Sequence, residues 1–142
     1  KFMAMAKDAQ SVPISIFSER LSGFETIVKY LAENCRLSNR QISDLLNRDI
    51  RTVWGTYKKT LTKHPEKFTT QHLEKYKIPL SSFATRRLST LETIVSHLNA
   101  SYNLNQREIA GLLKRDISTV WTAYRRAQQK TAIQHDANVE GY

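Results

Sequence analysis

With 142 residues, 40% of them hydrophobic, and a formal net charge of +9 at neutral pH, the chain suits one domain or two small ones and favours a polyanionic partner. A single cysteine, Cys35, excludes an intramolecular disulfide framework, and no apolar run approaches the roughly 20 residues that a membrane span needs. These features point to a cytoplasmic protein with no membrane partner.

The opening stretch, Lys1 to Gln10, does not begin with Met and reads as a cloning remnant or the continuation of a longer chain. Val12-Pro13-Ile14-Ser15-Ile16-Phe17 is restricted by proline and rich in β-branched residues, which suits an extended arm or a short strand. A first helix follows: Leu21, Phe24, Ile27, Val28, Leu31 and Cys35 share one stripe, and Ser22 with Glu25 makes a capping box at its start. Ser38 and Gln41 repeat that signal for a shorter helix whose apolar face is Ile42, Leu45 and Leu46. A third helix starts at Asp49, whose carboxylate can accept orphan N–H groups. On that helix Ile50, Val53, Trp54, Tyr57 and Leu61 form the apolar stripe, leaving Arg51, Thr52, Gly55, Lys58 and Lys59 facing outward.

From Leu61 to Lys77 the chain carries Pro65, several lysines and Thr69-Thr70-Gln71-His72, a short basic linker with room for one short helix. The first half then recurs. Pro13 and Phe17 answer to Pro79 and Phe83 and, after a one-residue insertion, Leu21-Ser22 and Glu25-Thr26-Ile27-Val28 answer to Leu88-Ser89 and Glu92-Thr93-Ile94-Val95. Arg48-Asp49-Ile50 and Thr52-Val53-Trp54 match Arg115-Asp116-Ile117 and Thr119-Val120-Trp121, and about half of the gap-free positions are identical. The start signals recur as Ser89 with Glu92, Asn105 with Glu108, and Asp116. Ile78-Pro79-Leu80-Ser81-Ser82-Phe83 is less strand-like than its counterpart, and Phe17 and Phe83 are each expected beneath their own helices. The expected organisation is all-α: a helix-turn-helix repeat over 12–60, a linker over 61–77, a second repeat over 78–127, and a C-terminal tail over 128–142 whose end is expected to be loosely ordered.

The stretch from Asn105 to Val120 resembles the helix-turn-helix of DNA-binding proteins, especially the promoter-reading domain of bacterial sigma factors and related regulators. Ile109, Ala110, Leu113 and Val120 stand at the buried positions of that motif, and Ser43 takes the place of Ala110 in the first repeat. The family usually has Gly and then an apolar residue in the turn, where this chain has Asn47-Arg48 and Lys114-Arg115. Asn tolerates a left-handed backbone and Lys pays a penalty for it, so a turn of different shape is expected, with Ile50 and Ile117 as apolar plugs. The resemblance implies two tandem three-helix bundles reading adjacent major-groove half-sites of double-stranded DNA, as a transcription regulator does.

The DNA-facing residues this reading selects are Asn39, Arg40, Arg48, Arg51, Thr52, Gly55, Lys58 and Lys59 in the first repeat. In the second they are Gln106, Arg107, Arg115, Ser118, Thr119, Thr122, Arg125 and Arg126. Arg48 and Arg115 are equally suited to local pairing. Trp54 and Trp121 border the apolar stripe and are expected to pack, with a partner protein as their alternative use. His64, His72, His97 and His135 lack metal-ligand spacing with one another or with Cys35, and no nucleophile-base pairing or phosphate loop is present, so no enzyme, cofactor or metal is expected. Two other functions stay open: a protein-interaction module, and the DNA-recognition region of a transposase or recombinase.

Overall fold

The structure, a computed structural model, describes residues 11–70 and 74–140, with side chains described through residue 132. The readings of Lys1 to Gln10 and of Gln71-His72 lie outside the described residues, as does the side chain of His135. Among the described residues the chain is mainly helical, with six α-helices and a two-stranded sheet. No described helix is long and apolar enough to cross a membrane.

Strand β1 (Ser11–Pro13) leads into a 3-10 turn (Ile14–Ile16). Helix α1 (Gly23–Lys29) follows, extended by a π-helical turn (Tyr30–Asn34). Both halves of its capping box are made: the Glu25 N–H donates to Ser22 Oγ at 3.1 Å and the Ser22 N–H to Glu25 Oε1 at 2.9 Å. Helices α2 (Asn39–Leu46) and α3 (Ile50–Lys63) complete the first half. The second half repeats the order with β2 (Lys77–Pro79), a 3-10 turn (Leu80–Phe83), α4 (Thr90–Tyr102), α5 (Gln106–Leu113) and α6 (Ile117–Glu140). Ser89 and Glu92 close the same capping box on α4, at 3.1 and 3.0 Å.

The halves are joined through more than a linker. β1 and β2 pair antiparallel, with Ser11 opposite Pro79, Val12 opposite Ile78 and Pro13 opposite Lys77. The extended character expected of the first arm is therefore shared by the second, because each three-residue strand finds its partner in the other half. Phe17 and Phe83 are both buried in one hydrophobic cluster that also takes in Val12, Leu31, Ile42 and Val53 from the first half and Ile78, Leu98, Ile109 and Val120 from the second. The turn ending in Phe83 packs on α2 as well as on α4, and the turn of Ile14–Ile16 packs on α5. The arms cross over, and each braces the opposite half.

Two boundaries shift from the sequence reading. Helix α3 runs to Lys63, so the linker begins after it, and no further helix forms between His64 and Thr70. Beyond Lys130 no separate tail begins: α6 continues to Glu140, with no Gly or Pro to interrupt it before Gly141.

Candidate nucleic-acid interface

The two second-to-third-helix segments share one pattern of caps and backbone bonds. α2 starts with Gln41 N–H on Ser38 Oγ (3.1 Å) and Ser38 N–H on Gln41 Oε1 (2.8 Å); α5 starts with Glu108 N–H on Asn105 Oδ1 (2.8 Å) and Asn105 N–H on Glu108 Oε1 (2.9 Å). Each ends at a left-handed residue, Asn47 (φ 55°, ψ 51°) and Lys114 (φ 56°, ψ 44°). The next N–H groups, of Arg48 and Arg115, donate back to Ser43 O at 3.1 Å and Ala110 O at 3.0 Å. Lys114 adopts the same left-handed geometry as Asn47 in spite of the penalty expected of it. Lys114 takes the left-handed conformation because the bonds on either side of it demand that path.

Helix α3 is then capped by Asp49, which accepts the Arg51 N–H at 2.7 Å, and α6 by Asp116, which accepts the Ser118 N–H at 3.1 Å. These bonds hold both carboxyls below the usual Asp range, chiefly through the backbone of Arg51 for Asp49 and through the hydroxyl of Ser118 for Asp116. The positive end of each helix is thus already served by a carboxylate.

The core side of α3 is Val53 and Thr60, both fully buried, and that of α6 is Val120, Ala123 and Ala127. Opposite them, Arg51, Thr52, Lys58 and Lys59 are exposed, as are Ser118, Thr119, Thr122, Arg125 and Arg126. The Arg51 side chain is 89% accessible, with Asp49 at 3.5 Å. Half-buried Gly55 lies with open space where a Cβ would stand. At the matching place Thr122 donates its hydroxyl to Ser118 O at 2.9 Å, and the Ser118 hydroxyl donates to Asp116 Oδ2. The exposed face of α3 therefore offers the guanidinium donors of Arg51 over an empty step, and that of α6 offers hydroxyl oxygens whose protons are already used.

Other candidate residues divide. Arg40 and Arg107 are exposed at the start of the second helices, whereas Asn39 is half-buried and Gln106 is buried, which withdraws Gln106 from a surface role because its helix start packs inward. Arg48 and Arg115 are bound to carbonyl oxygens. Arg48 donates to Leu46 O (2.8 Å), Asn47 O (3.3 Å) and Thr85 O (3.4 Å) and lies 5.8 Å from the Phe24 ring centre; Arg115 donates to Leu21 O at 2.7 Å. Their local role is to tie each turn to the opposite half.

The expectation that both tryptophans pack is overturned: Trp54 is 51% and Trp121 45% exposed. The stripe of Ile50, Trp54 and Leu61 lies beside the buried one, because the core meets α3 along Val53 and Thr60, about a quarter turn away from it. Lys58 Nζ stands 5.4 Å over the Trp54 ring, while Trp121 meets Tyr124 edge-on at 6.0 Å.

Arg86 escaped the sequence reading. It lines one shallow polar depression with Ser43, Asn47, Arg48 and Asp49, at the mouth of the first turn. Burial, with the nearby Arg86 charge, lowers the Arg48 guanidinium from its ordinary value. The available signal was the charge change from Glu19 to Arg86 at the insertion, but its meaning depends on the crossing of the arms. Among the described residues no group of His, Cys, Asp and Glu is arranged to hold a metal ion. Comparison with protein-family models, curated proteins and solved structures found no match.

Proposed function

We propose that the chain is a double-stranded DNA-binding protein of the transcription-regulator type, built as two tandem three-helix helix-turn-helix units that present α3 and α6 to major-groove half-sites. One observation carries this reading. Two helices that follow identically shaped turns each bury one side in the core and leave Arg51, Lys58 and Lys59, or Arg125 and Arg126, exposed on the other. Early residues of such helices reach base edges, and basic residues a turn or two later reach phosphates.

Fluorescence anisotropy with a labelled duplex over a series of salt concentrations tests it. If Lys58, Lys59, Arg125 and Arg126 each neutralise one phosphate, log K should fall against log salt with a slope of roughly −3 to −4. Reversing those four charges should abolish binding. Salt-independent binding, or none to any duplex, would overturn the proposal.

The exposure of Trp54 and Trp121 favours a second reading, docking of a partner protein. The two readings part in mutagenesis. Trp54→Ala with Trp121→Ala should spare the salt-dependent duplex binding if DNA is the ligand, and the four-charge variant should spare a Trp-mediated complex if protein is.

A further inference from the structure

Taking DNA binding as proposed above, and resting on that reading, we infer that the duplex recognised by this chain is an imperfect inverted repeat, its half-sites related by a dyad and not repeated head to tail.

The contacts between the halves are reciprocal. Val12 and Ile78, equivalent positions of the repeat, pair with each other, and on either side Ser11 meets Pro79 as Pro13 meets Lys77. Such pairing has a two-fold axis between Val12 and Ile78. Gly23 and Thr90, also equivalent, meet at the starts of α1 and α4, where a Cβ on Gly23 would stand 3.0 Å from Thr90 Cγ2. Ile14–Ile16 braces α5 as Leu80–Phe83 braces α2. Arg48 crosses to the segment before α4 at Thr85 O, and Arg115 to the segment before α1 at Leu21 O. This is the isologous pattern of a two-fold dimer made within one chain; a head-to-tail relation brings different surfaces together and cannot produce it.

The consequence for a ligand is geometric. Along B-DNA, head-to-tail half-sites are related by translation with rotation about the helix axis, and inverted half-sites by a dyad perpendicular to it. Two reading helices related by a two-fold and docked alike on one duplex match only the dyad. The chain connector does not relax this requirement, because both halves share one hydrophobic cluster and each turn is anchored in the opposite half. The half-sites differ because the faces do. Arg51 suits a guanine edge, with its two acceptors, whereas the hydroxyl oxygens of Ser118 and Thr122 suit an exocyclic amino donor. Arg86 beside the first turn stands where the repeat otherwise has Glu19, in a depression that Asp44 and Asp49 also line, which is a further difference between the halves.

Selection of the full chain on random duplexes at fixed salt, followed by footprinting of the winners, reads the orientation directly. Two related motifs in inverted orientation are expected, and turning one motif head to tail at the same spacing should weaken binding at least about tenfold. The double variant Arg51→Ser with Gly55→Thr makes the two faces alike and should select a more nearly perfect palindrome. Head-to-tail motifs, a single motif with the second half unprotected, or one chain bridging two duplexes would overturn the inference while leaving DNA binding in place. Absence of any duplex enrichment would remove both.

Discussion

In the first half, Lys29 is fully buried with its Nζ 2.7 Å from Glu33 Oε1 and 5.6 Å over the Phe68 ring, while Glu33 Oε2 accepts the Tyr57 hydroxyl at 2.9 Å. The second half has Ser96 and Ala100 at the places of Lys29 and Glu33, and the tyrosine equivalent to Tyr57, Tyr124, turns its ring to Trp121. Around these unlike fillings the frame is the same. Arg20 donates to Lys63 O and Arg87 to Lys130 O, both at 3.0 Å, and Lys63 and Lys130 reach Glu25 and Glu92, both at 2.8 Å. Burial raises the Glu25 and Glu92 carboxyls, but the bonds from those lysines and from Ser22 and Ser89 outweigh it and hold both below their ordinary value. The frame joins the start of the first helix to the third helix, so it sets the angle between them. What fills the space behind it can change as a set.

That distinction predicts the largest effect. Glu33→Leu leaves Lys29 buried without its counter-charge and should cost about 3–5 kcal/mol, whereas Lys29→Met with Glu33→Leu replaces the pair by apolar volume and should return to within about 1–2 kcal/mol of the parent. Denaturant unfolding of the three proteins measures both. A double variant as unstable as the single one would mean that the network belongs to the frame. The Tyr57 hydroxyl, whose pKa is raised by burial and by Glu33, loses its acceptor in both variants and so does not distort the comparison.

The next effect belongs to the contact between the halves. Gly23 and Thr90 occupy the same place in the repeat, and a Cβ on Gly23 would stand 3.0 Å from Thr90 Cγ2, so a side chain there requires Thr90 to give way. Gly23→Leu should wedge α1 from α4 and cost about 1–3 kcal/mol. Adding Thr90→Gly should recover part of that loss, and a thermodynamic cycle reads the coupling. No coupling would show that the helix starts do not press on one another.

The parts legible in sequence were those written within four residues. Ser22, Ser38, Ser89, Asn105, Asp49 and Asp116 all cap helices as their spacing indicates. The outward position of Arg51, Lys58, Arg125 and Arg126 belongs to the same class, and the repeat was legible separately, by matching one half of the chain to the other. What distant segments decide was not legible. No local pattern says that Val12 pairs with Ile78, that the arms cross, or that Arg48 and Arg115 spend their donors on carbonyls of the opposite half. Trp54 misled because hydrophobicity marks a stripe wider than the core covers. Arg86 stayed hidden because it serves a turn that lies 37 or more positions earlier in the chain.

The smallest effect is at the turn, where the halves match in shape and differ in residue. Asn47 and Lys114 have nearly the same left-handed backbone, φ 55° and 56°, and both are exposed, so packing does not separate them. For an L-residue with a full side chain this conformation costs about 1–2 kcal/mol through the approach of Cβ to the carbonyl oxygen, and Asn offsets part of that cost by local hydrogen bonding. Lys114→Asn should therefore raise stability by a few tenths to 1 kcal/mol, and Asn47→Lys should lower it by a similar amount. Lys114→Gly relieves the strain fully but adds freedom to the unfolded chain, so its gain should be no larger. Thermal melts at fixed pH measure all three. Equal and opposite shifts for Lys114→Asn and Asn47→Lys are what one shared turn requires. A gain at one site without a loss at the other would mean that the two turns, alike in backbone, are held by different surroundings.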